Sequence, residues 1–576
     1  MKTKPIDSTW TDEQWNAIAT RNTSILVSAG AGSGKTAVLT ERILELLKEG
    51  HSILDLIVLT FTNAAAKEMK ERVKQKLEVA ISNGYPELAQ ELEKIDLSNI
   101  CTFDSFSLNL VKKYHYLLGI EDNVQIGDTI FINDLKKRCM ENTFQEFYEK
   151  EEPLFLKFLD TFTVKDDTDI QKTLLKVANT LTSRIHIKTS LEESYQNINE
   201  SFIEKQFLSY EQEIQTQKEF IGEELKQHLN TGYSQLLEEY LLNIQMIYDP
   251  ILKEHEYDVY APLVACFSLP SFPRSKKIDE EEKNQLKEEI GGLKKEIQKL
   301  KDLCVYSKKE DYIDEILKTK DTVLILKEIL ITYFHRLEQE KKNWNYYEFH
   351  DIGRFAIQIL EEHESIRKEF QESIYEIMID EYQDTNDIGT YFVSMIQNNN
   401  VYTVGDVKQS IYRFRNANPN IFMERFYQFQ KNEGGTLITL SKNFRSRKEV
   451  VDGINLLFQA IMDELIGGVH YHNQEEMIFG NLSYETVKDK KTDYQMEVLD
   501  YEYQDTKEKE TYRKEEIEAF IIGNDIKKRI ERKEKINDHG NLREVTYSDF
   551  AILQDRKTSF DLYKKVFTYL QIPITI

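Results

Sequence analysis

The sequence predicts an α/β protein with two parallel-sheet domains, the first split by a large helical insertion. Three observations predict it. Short apolar runs alternate with helical stretches at both ends of the chain, and such alternation implies parallel sheets. From Tyr116 to Asn345 the chain is instead long, charged and helical, with few strand signals. A glycine-rich loop joins the first apolar run to the first long helix, in "SILVSAGAGSGKTAVLTERI".

Each element follows in order. Ile25, Leu26 and Val27 read as a short buried strand. Gly30, Gly32 and Gly34 then permit torsions that bulkier residues avoid. Ala37, Val38, Leu39, Ile43 and Leu44 place a helix beneath the loop. A loop of this kind aims backbone N–H groups at the helix N-terminus, where an anion is stabilised. The stretch Ala29, Gly30, Ala31, Gly32, Ser33, Gly34, Lys35 and Thr36 therefore reads as a phosphate-binding loop of nucleotide hydrolases, with Ala29 where the strict pattern has Gly. Lys35 would reach the terminal phosphates and Thr36 would bind Mg²⁺. The competing reading is a glycine-rich turn with an incidental lysine.

Further strand-then-helix units follow in "IVLTFTNAAAKEMKERV" and "ICTFDSFSLNLVKKY". Inside the insertion, Leu286, Ile290, Leu293, Ile297 and Leu300 alternate four and three residues apart. That seam predicts a helix packed on a neighbour in the same chain rather than a dimeric coiled coil. Gly291 and Gly292 are expected to interrupt it.

Strand character returns at "IYEIMIDEYQDTN", "NVYTVGDVKQSIYRF" and "TLITLSKNFRS". Ile377, Met378 and Ile379 form a buried strand, with Asp380 and Glu381 at its end. An acid there can hold the Mg²⁺ that Thr36 also touches. A second can orient or deprotonate the attacking water. The rival reading is a solvated acidic turn. The tail alternates again: a strand in "YQMEVLDYEY", a helix from Lys514 to about Ile530, a strand in "DFAILQDR", a helix after Ser559, and "PITI".

Composition limits the function classes. The 576 residues suffice for about three or four domains, and 40% hydrophobic content supports real cores. A net charge of −25 argues against a passive nucleic-acid coat, although an acidic enzyme can carry a positive groove. The acid gathers in places such as "IDEEEKNQLKEE" and "QDTKEKETYRKEE". No apolar span is long enough for a bilayer, and the N-terminus lacks the apolar core of a signal peptide. Cys101, Cys139, Cys266 and Cys304 are scattered, form no metal-ligand pair, and suggest a reducing cytoplasm.

Five motifs, "AGAGSGKT", "LTFTNAAAKEM", "IDEYQDTN", "VGDVKQSIYRFRNANP" and "LSKNFRS", occur here in one order. In that order they resemble the UvrD/Rep family of superfamily 1 DNA helicases. The large insertion, followed by "YYEFHDIGRFAIQIL", looks most like the AddA/RecB branch of helicase–nuclease motors. That branch commonly reads Asp-Phe-x-Asp-Leu where this chain has Glu348, Phe349, His350, Asp351 and Ile352.

The resemblance implies two RecA-like motor domains. Residues 1–115 and 346–436 would form the first (1A), 116–345 its helical insertion (1B), and 437–576 the start of the second (2A). It implies ATP and Mg²⁺, single-stranded or tailed duplex DNA, 3′ to 5′ travel, work in recombination or double-strand-break repair, and an AddB-like second subunit. Gln14 matches the glutamine that reads adenine, Phe444 the aromatic that stacks on it, and Arg445 the arginine that touches the γ-phosphate. Gln409 matches the glutamine between γ-phosphate and DNA. Phe61, Thr62 and Asn63 would contact single-stranded DNA. Phe414 looks like the base-stacking aromatic, with Tyr412, Arg413 and Arg415 beside it. Against this, Phe61 and Phe414 could be core aromatics, and Arg413 and Arg415 solvated charges. His115 and His350 read as surface or packing residues.

Three departures matter. Asp104 stands in "TFDSF" where relatives usually carry His, and a carboxylate would repel phosphate. Asp555 stands where the family usually places Arg, with Arg556 after it. The chain stops at Ile576, before two further family motifs, one supplying a second arginine to the γ-phosphate. The expectation is therefore the N-terminal part of a longer motor, binding ATP yet hydrolysing it slowly alone.

Overall fold

The computed structural model describes residues 3–576 apart from 7, 164, 275–277, 464–466, 469–470, 472–475, 488, 490–493, 502–512 and 539. Two compact units emerge, Met1–Val124 with Phe349–Ile576, and Gln125–Glu348.

The first unit is built on a six-stranded sheet. Its strands are β1 (Ile25–Ala29), β2 (Leu56–Thr60), β3 (Asn99–Thr102), β4 (Glu376–Ile379), β5 (Val401–Gly405) and β6 (Thr436–Leu440). They run in the order β3-β2-β4-β5-β1-β6, and every pairing is parallel. Every residue of β1, β2, β4 and β5 is buried, as expected of continuous apolar runs covered on both faces. The edge strands β3 and β6 are only partly buried.

Helix α1 (Asp12–Ala19) opens with a capping box between Thr11 and Gln14. Helix α2 (Lys35–Lys48) begins at Gly34, whose φ of 88° suits glycine. Helix α3 (Asn63–Ser82) is capped by the Thr62 hydroxyl, and α4 (Phe103–Tyr114) by that of Thr102. Val38, Leu39 and Ile43 of α2 and Met69, Val73 and Leu77 of α3 share one core with Ile25, Val27 and Val58. Each such side chain contributes roughly 1.5–3 kcal/mol when fully buried.

One buried ion pair fixes α2 against the sheet. Arg42, fully buried, donates Nε to Glu376 at 2.7 Å and a guanidinium nitrogen to its other oxygen at 2.5 Å. Arg42 also donates to the carbonyls of Ala17 and Ile18 and lies over the Tyr402 ring. Each of its three nitrogens finds an acceptor, so much of the desolvation cost of the pair is offset.

The second unit is helical apart from a two-residue parallel pair, Gln125–Ile126 with Tyr346–Tyr347. Leu286, Ile290, Leu293, Ile297 and Leu300 are all buried in the helix Glu280–Leu303. They pack with Ile214, Ile221, Leu225, Leu237 and Leu241 of two neighbouring helices. The seam faces its own chain. Gly291 and Gly292 do not interrupt the helix; both are on its exposed face, away from the buried apolar stripe.

The tail departs from the alternation expected of it. The boundary drawn at 436/437 falls inside β6, which pairs with β1 in the first sheet. No second extended parallel sheet forms among the described residues. Lys442–Asn443 pairs in parallel with Ile478–Phe479, and Lys535–Asp538 forms an antiparallel hairpin with Asn541–Glu544. The strands expected in 494–503 and 549–556 are absent from the described residues, and 502–503 lie outside them. Leu553 is 95% exposed there. An apolar run becomes a strand only where another strand supplies its hydrogen bonds. The helices Lys514–Glu531 and Phe560–Tyr569 do form, packing Ala519 and Ile526 on Val566 and Phe567. Part of the second acidic stretch, 504–512, also lies outside the described residues. Among those residues no helix is long and apolar enough to cross a membrane. The four cysteines are free.

Candidate functional site

The loop after β1 closes tightly on itself and on the segment after β6. Gly30 N–H donates to Leu440 O at 3.0 Å, and Phe444 N–H to Gly32 O at 2.8 Å. Gly32 has φ 69°, and a Cβ there would sit 2.8 Å from Arg445 Cβ and from Asn443 Oδ1. Glycine is therefore required at 32 by both torsion and space. Ala29 is tolerated because it is still in the extended strand. Asn443, which sequence reasoning passed over, accepts N–H bonds from Arg445 and Ser446 and so shapes the turn carrying Arg445. Its signal was only an asparagine before a turn.

Gln14 and Phe444 line one shallow pocket with Ser33 and Leu440. The Gln14 amide is engaged at both ends, donating to Ser33 O at 2.9 Å and accepting from Thr11 N–H at 3.0 Å. Arg445 is exposed. Its guanidinium makes no hydrogen bond to a described residue.

Lys35 brings three distant motifs together. Its Nζ lies 3.4 Å from Glu381 Oε2 and 3.2 Å from Gln409 Oε1. Gln409 Nε2 in turn donates to Asp406 at 2.8 Å. Thr36, Asp380, Glu381 and Gln409 border a cavity of about 380 Å³. Glu381 holds a left-handed backbone, φ 51°, a conformation that costs a non-glycine residue of order 1–3 kcal/mol. Such strain clusters at working sites, and here it turns the side chain out of the strand end.

Two observations fit a nucleotide phosphate with Mg²⁺. Ser33 Oγ is buried in the loop without a hydrogen-bond partner among the described residues. Asp380 is pushed up to about 6, first by burial and then by the neighbouring Glu381 charge. A half-buried carboxylate short of compensating charge and a threonine hydroxyl lining the same cavity are fitting oxygen ligands for Mg²⁺. Asp384 is likewise pushed up to about 6 by burial and by Glu381.

The sign of the Asp380 shift makes a stability prediction. A folded-state value above the unfolded one (roughly 4) means that the charged form is penalised in the fold. The penalty is absent below the unfolded value and full above about 6. Asp380→Asn, which keeps an acceptor for Glu381 N–H, is expected to stabilise the ligand-free chain by roughly 1–3 kcal/mol at pH 7.5. The gain should vanish near pH 4. Denaturant unfolding of both chains at the two pH values checks this, and an equal gain at both would refute the charge argument.

Phe61, Thr62, Ile411 and Tyr412 line the same cavity. The Phe61 and Tyr412 rings lie 4.3 Å apart, and Tyr412 and Phe414 5.7 Å. Arg415 sits within 6 Å of all three rings. Phe414 is 77% exposed, which is not the burial of a core aromatic. Thr62 spends its hydroxyl on the α3 cap, accepting from Ala65 N–H. Asn63 is exposed at the first position of α3. Asp104 lines an adjoining cavity with Phe61, and burial raises its carboxyl against the pull of Arg415. Asp555 and Arg556 pair with each other at 3.4 Å in an exposed loop. His115 bonds Ile120 O and packs on Tyr116.

Comparison with known proteins places this geometry in a lineage. Residues 10–430 match the family model for the UvrD/REP helicase N-terminal domain. Similar curated proteins are the AddA subunits of ATP-dependent helicase/nucleases. The one from Exiguobacterium sibiricum is 30% identical over 98% of this chain and 49% of its own length. That from Clostridium perfringens is 30% identical over 94% and 48%. That from Bacillus licheniformis is 32% identical over 83% and 41%. The chain thus spans about half the length of the curated relatives it matches. With its phosphate loop, strand-end acids and family-model match over most of its length, the chain belongs to the UvrD/REP helicase family.

Proposed function

We propose that the chain is an ATP-driven motor acting on single-stranded DNA. One observation carries the reading: a single cavity is lined both by Thr36, Asp380, Glu381 and Gln409 and by Phe61, Thr62 and Tyr412. A group that feels a phosphate and a group that grips a base therefore share one space. Lys35, with the loop from Ala29 to Gly34, binds the phosphates. Glu381 takes a proton from the attacking water. Arg445 adds positive charge from the segment after β6. Gln14 and Phe444 hold the adenine. Gln409 links Lys35 to Asp406 and so to the loop bearing Tyr412 and Phe414. Mg²⁺, held by Thr36 and Asp380, would neutralise phosphate charge when bound.

On this reading, residues 1–115 and 346–436, with the rest of β6 to Leu440, form the first RecA-like motor domain, 116–345 its insertion, and the remainder to 576 the start of the second. Travel is 3′ to 5′, on single-stranded or tailed duplex DNA. The reading extends to work in recombination or double-strand-break repair in the cytoplasm, beside an AddB-like subunit, supported by the resemblance to the AddA/RecB branch. The deciding experiment is ATP hydrolysis by the purified chain with and without single-stranded DNA. DNA stimulation supports the motor, and its absence with intact binding favours the second reading. That reading is an ATP-gated DNA-binding module without motor output, and the exposed, unladdered run at Leu553 favours it.

Phe414→Ala should weaken single-strand binding by roughly 1–3 kcal/mol, the range for one base–aromatic stack. ATP affinity should stay nearly intact. Fluorescence anisotropy of a labelled oligonucleotide measures it. A fall in thermal stability without a DNA effect would return Phe414 to the core.

A further inference from the structure

Behind the acids at the end of β4 lies one buried amide. Gln383 is 2% exposed and touches three segments of the chain. Its Nε2 donates to Glu381 Oε2 at 2.8 Å and lies 3.4 Å from Asp384 Oδ2. Its Oε1 accepts Asp406 N–H at 3.0 Å, just past β5. Its main-chain carbonyl accepts the Ser410 hydroxyl at 3.2 Å, one residue before Ile411 and Tyr412. A Cβ on Gly405 would sit 2.3 Å from Gln383 Oε1. Glycine at 405 is what admits the amide.

The orientation of this amide is dictated. Flipping it would set its NH₂ against the Asp406 N–H and leave a buried donor unmade, which is costly. Nε2 therefore always faces Glu381. Glu381 needs such a hold. Its side chain is 41% exposed, and Lys35 tethers its carboxylate only at 3.4 Å. A glutamate that free would spread over several rotamers. Both tethers fall on Oε2, so Oε1 is left to the cavity side.

We propose that Gln383 is a positioning residue for Glu381, fixing the carboxylate in one pose by an amide that is itself locked on the Asp406 backbone. The proposal rests on the reading of Glu381 as the group that takes the water's proton. Loss of that bond should lower the hydrolysis rate while nucleotide affinity and folding hold, because Glu381 would lose its pose but keep its chemistry.

The test uses the whole chain with ATP, Mg²⁺ and single-stranded DNA. Gln383→Glu keeps the shape and the acceptor for Asp406 N–H, but places like charge beside Glu381. Gln383→Met keeps the length and removes both bonds; it carries the test if the first variant does not fold. Single-turnover hydrolysis is followed at saturating ATP, with affinity for a fluorescent ATP analogue and thermal melting alongside. Gln383→Glu is expected to lower the rate about tenfold or more, and Gln383→Met to lower it as well, while nucleotide affinity and melting hold in both. Variants that match the parent's rate overturn the proposal alone. So do variants in which rate, affinity and melting fall together, since that is a purely structural role. A parent chain with no hydrolysis overturns the reading of Glu381 and this proposal with it.

Discussion

Lys35→Ala is expected to reduce ATP hydrolysis by roughly 10²–10³-fold or more, the loss that follows removal of one preorganised charge donor at a reacting oxygen. The lysine is well placed for that loss. Its side chain is 12% exposed and held between Glu381 and Gln409. Alanine removes the charge yet leaves the helix intact, since it is the strongest helix former and the position opens α2. Glu381 is exposed enough for water to replace its lost partner, so the fold should survive. Phosphate release and thermal melting measured on the same samples separate the two effects. Unchanged turnover with a folded chain would remove the phosphate site from this loop.

Glu381→Gln comes second. A general base contributes typically 10²–10⁴-fold, and an amide cannot take the proton. The new amide can still accept the Gln383 Nε2–H through its oxygen, so the pose at the strand end should persist. The expected result is turnover reduced by roughly 10²–10⁴-fold with nucleotide affinity unchanged. Equilibrium binding of a fluorescent ATP analogue, beside a hydrolysis assay, decides it. Affinity falling as steeply as rate would make Glu381 a ligand instead.

What could be read from residues alone divides along physical lines. The buried strands of the first sheet were legible because "SILVSA", "IVLTF" and "IMID" are apolar runs ending in turn residues, a purely local signal. The insertion seam was legible because Leu286 to Leu300 keep one helical face. The tail was not. Whether "AILQDR" becomes a strand depends on a partner elsewhere in the chain, and Ile552 and Leu553 look alike with or without one. Gln383, Asn443 and the Arg42–Glu376 pair were missed for a related reason. Each is a common polar residue whose role exists only once distant segments meet. The glycines at 32 and 34 could be placed in a loop from sequence, but the crowding of Gly32 by Asn443 and Arg445 could not.

The strand order carries a consequence for how the chain is made. β1, which bears the phosphate loop, borders only β5 and β6 in the sheet. Ser24, at its start, lies 377 positions before its bonding partner Val401. At synthesis rates of roughly 5–20 residues per second, that gap lasts roughly 20–75 s. Through that interval the nascent β1 emerges with neither neighbour available, while β2 and β3 can already pair. An unpaired apolar strand is a template for the wrong partner. Biogenesis therefore has its most vulnerable moment at the nucleotide loop itself, one of the first parts of the site to be translated and among the last to be built.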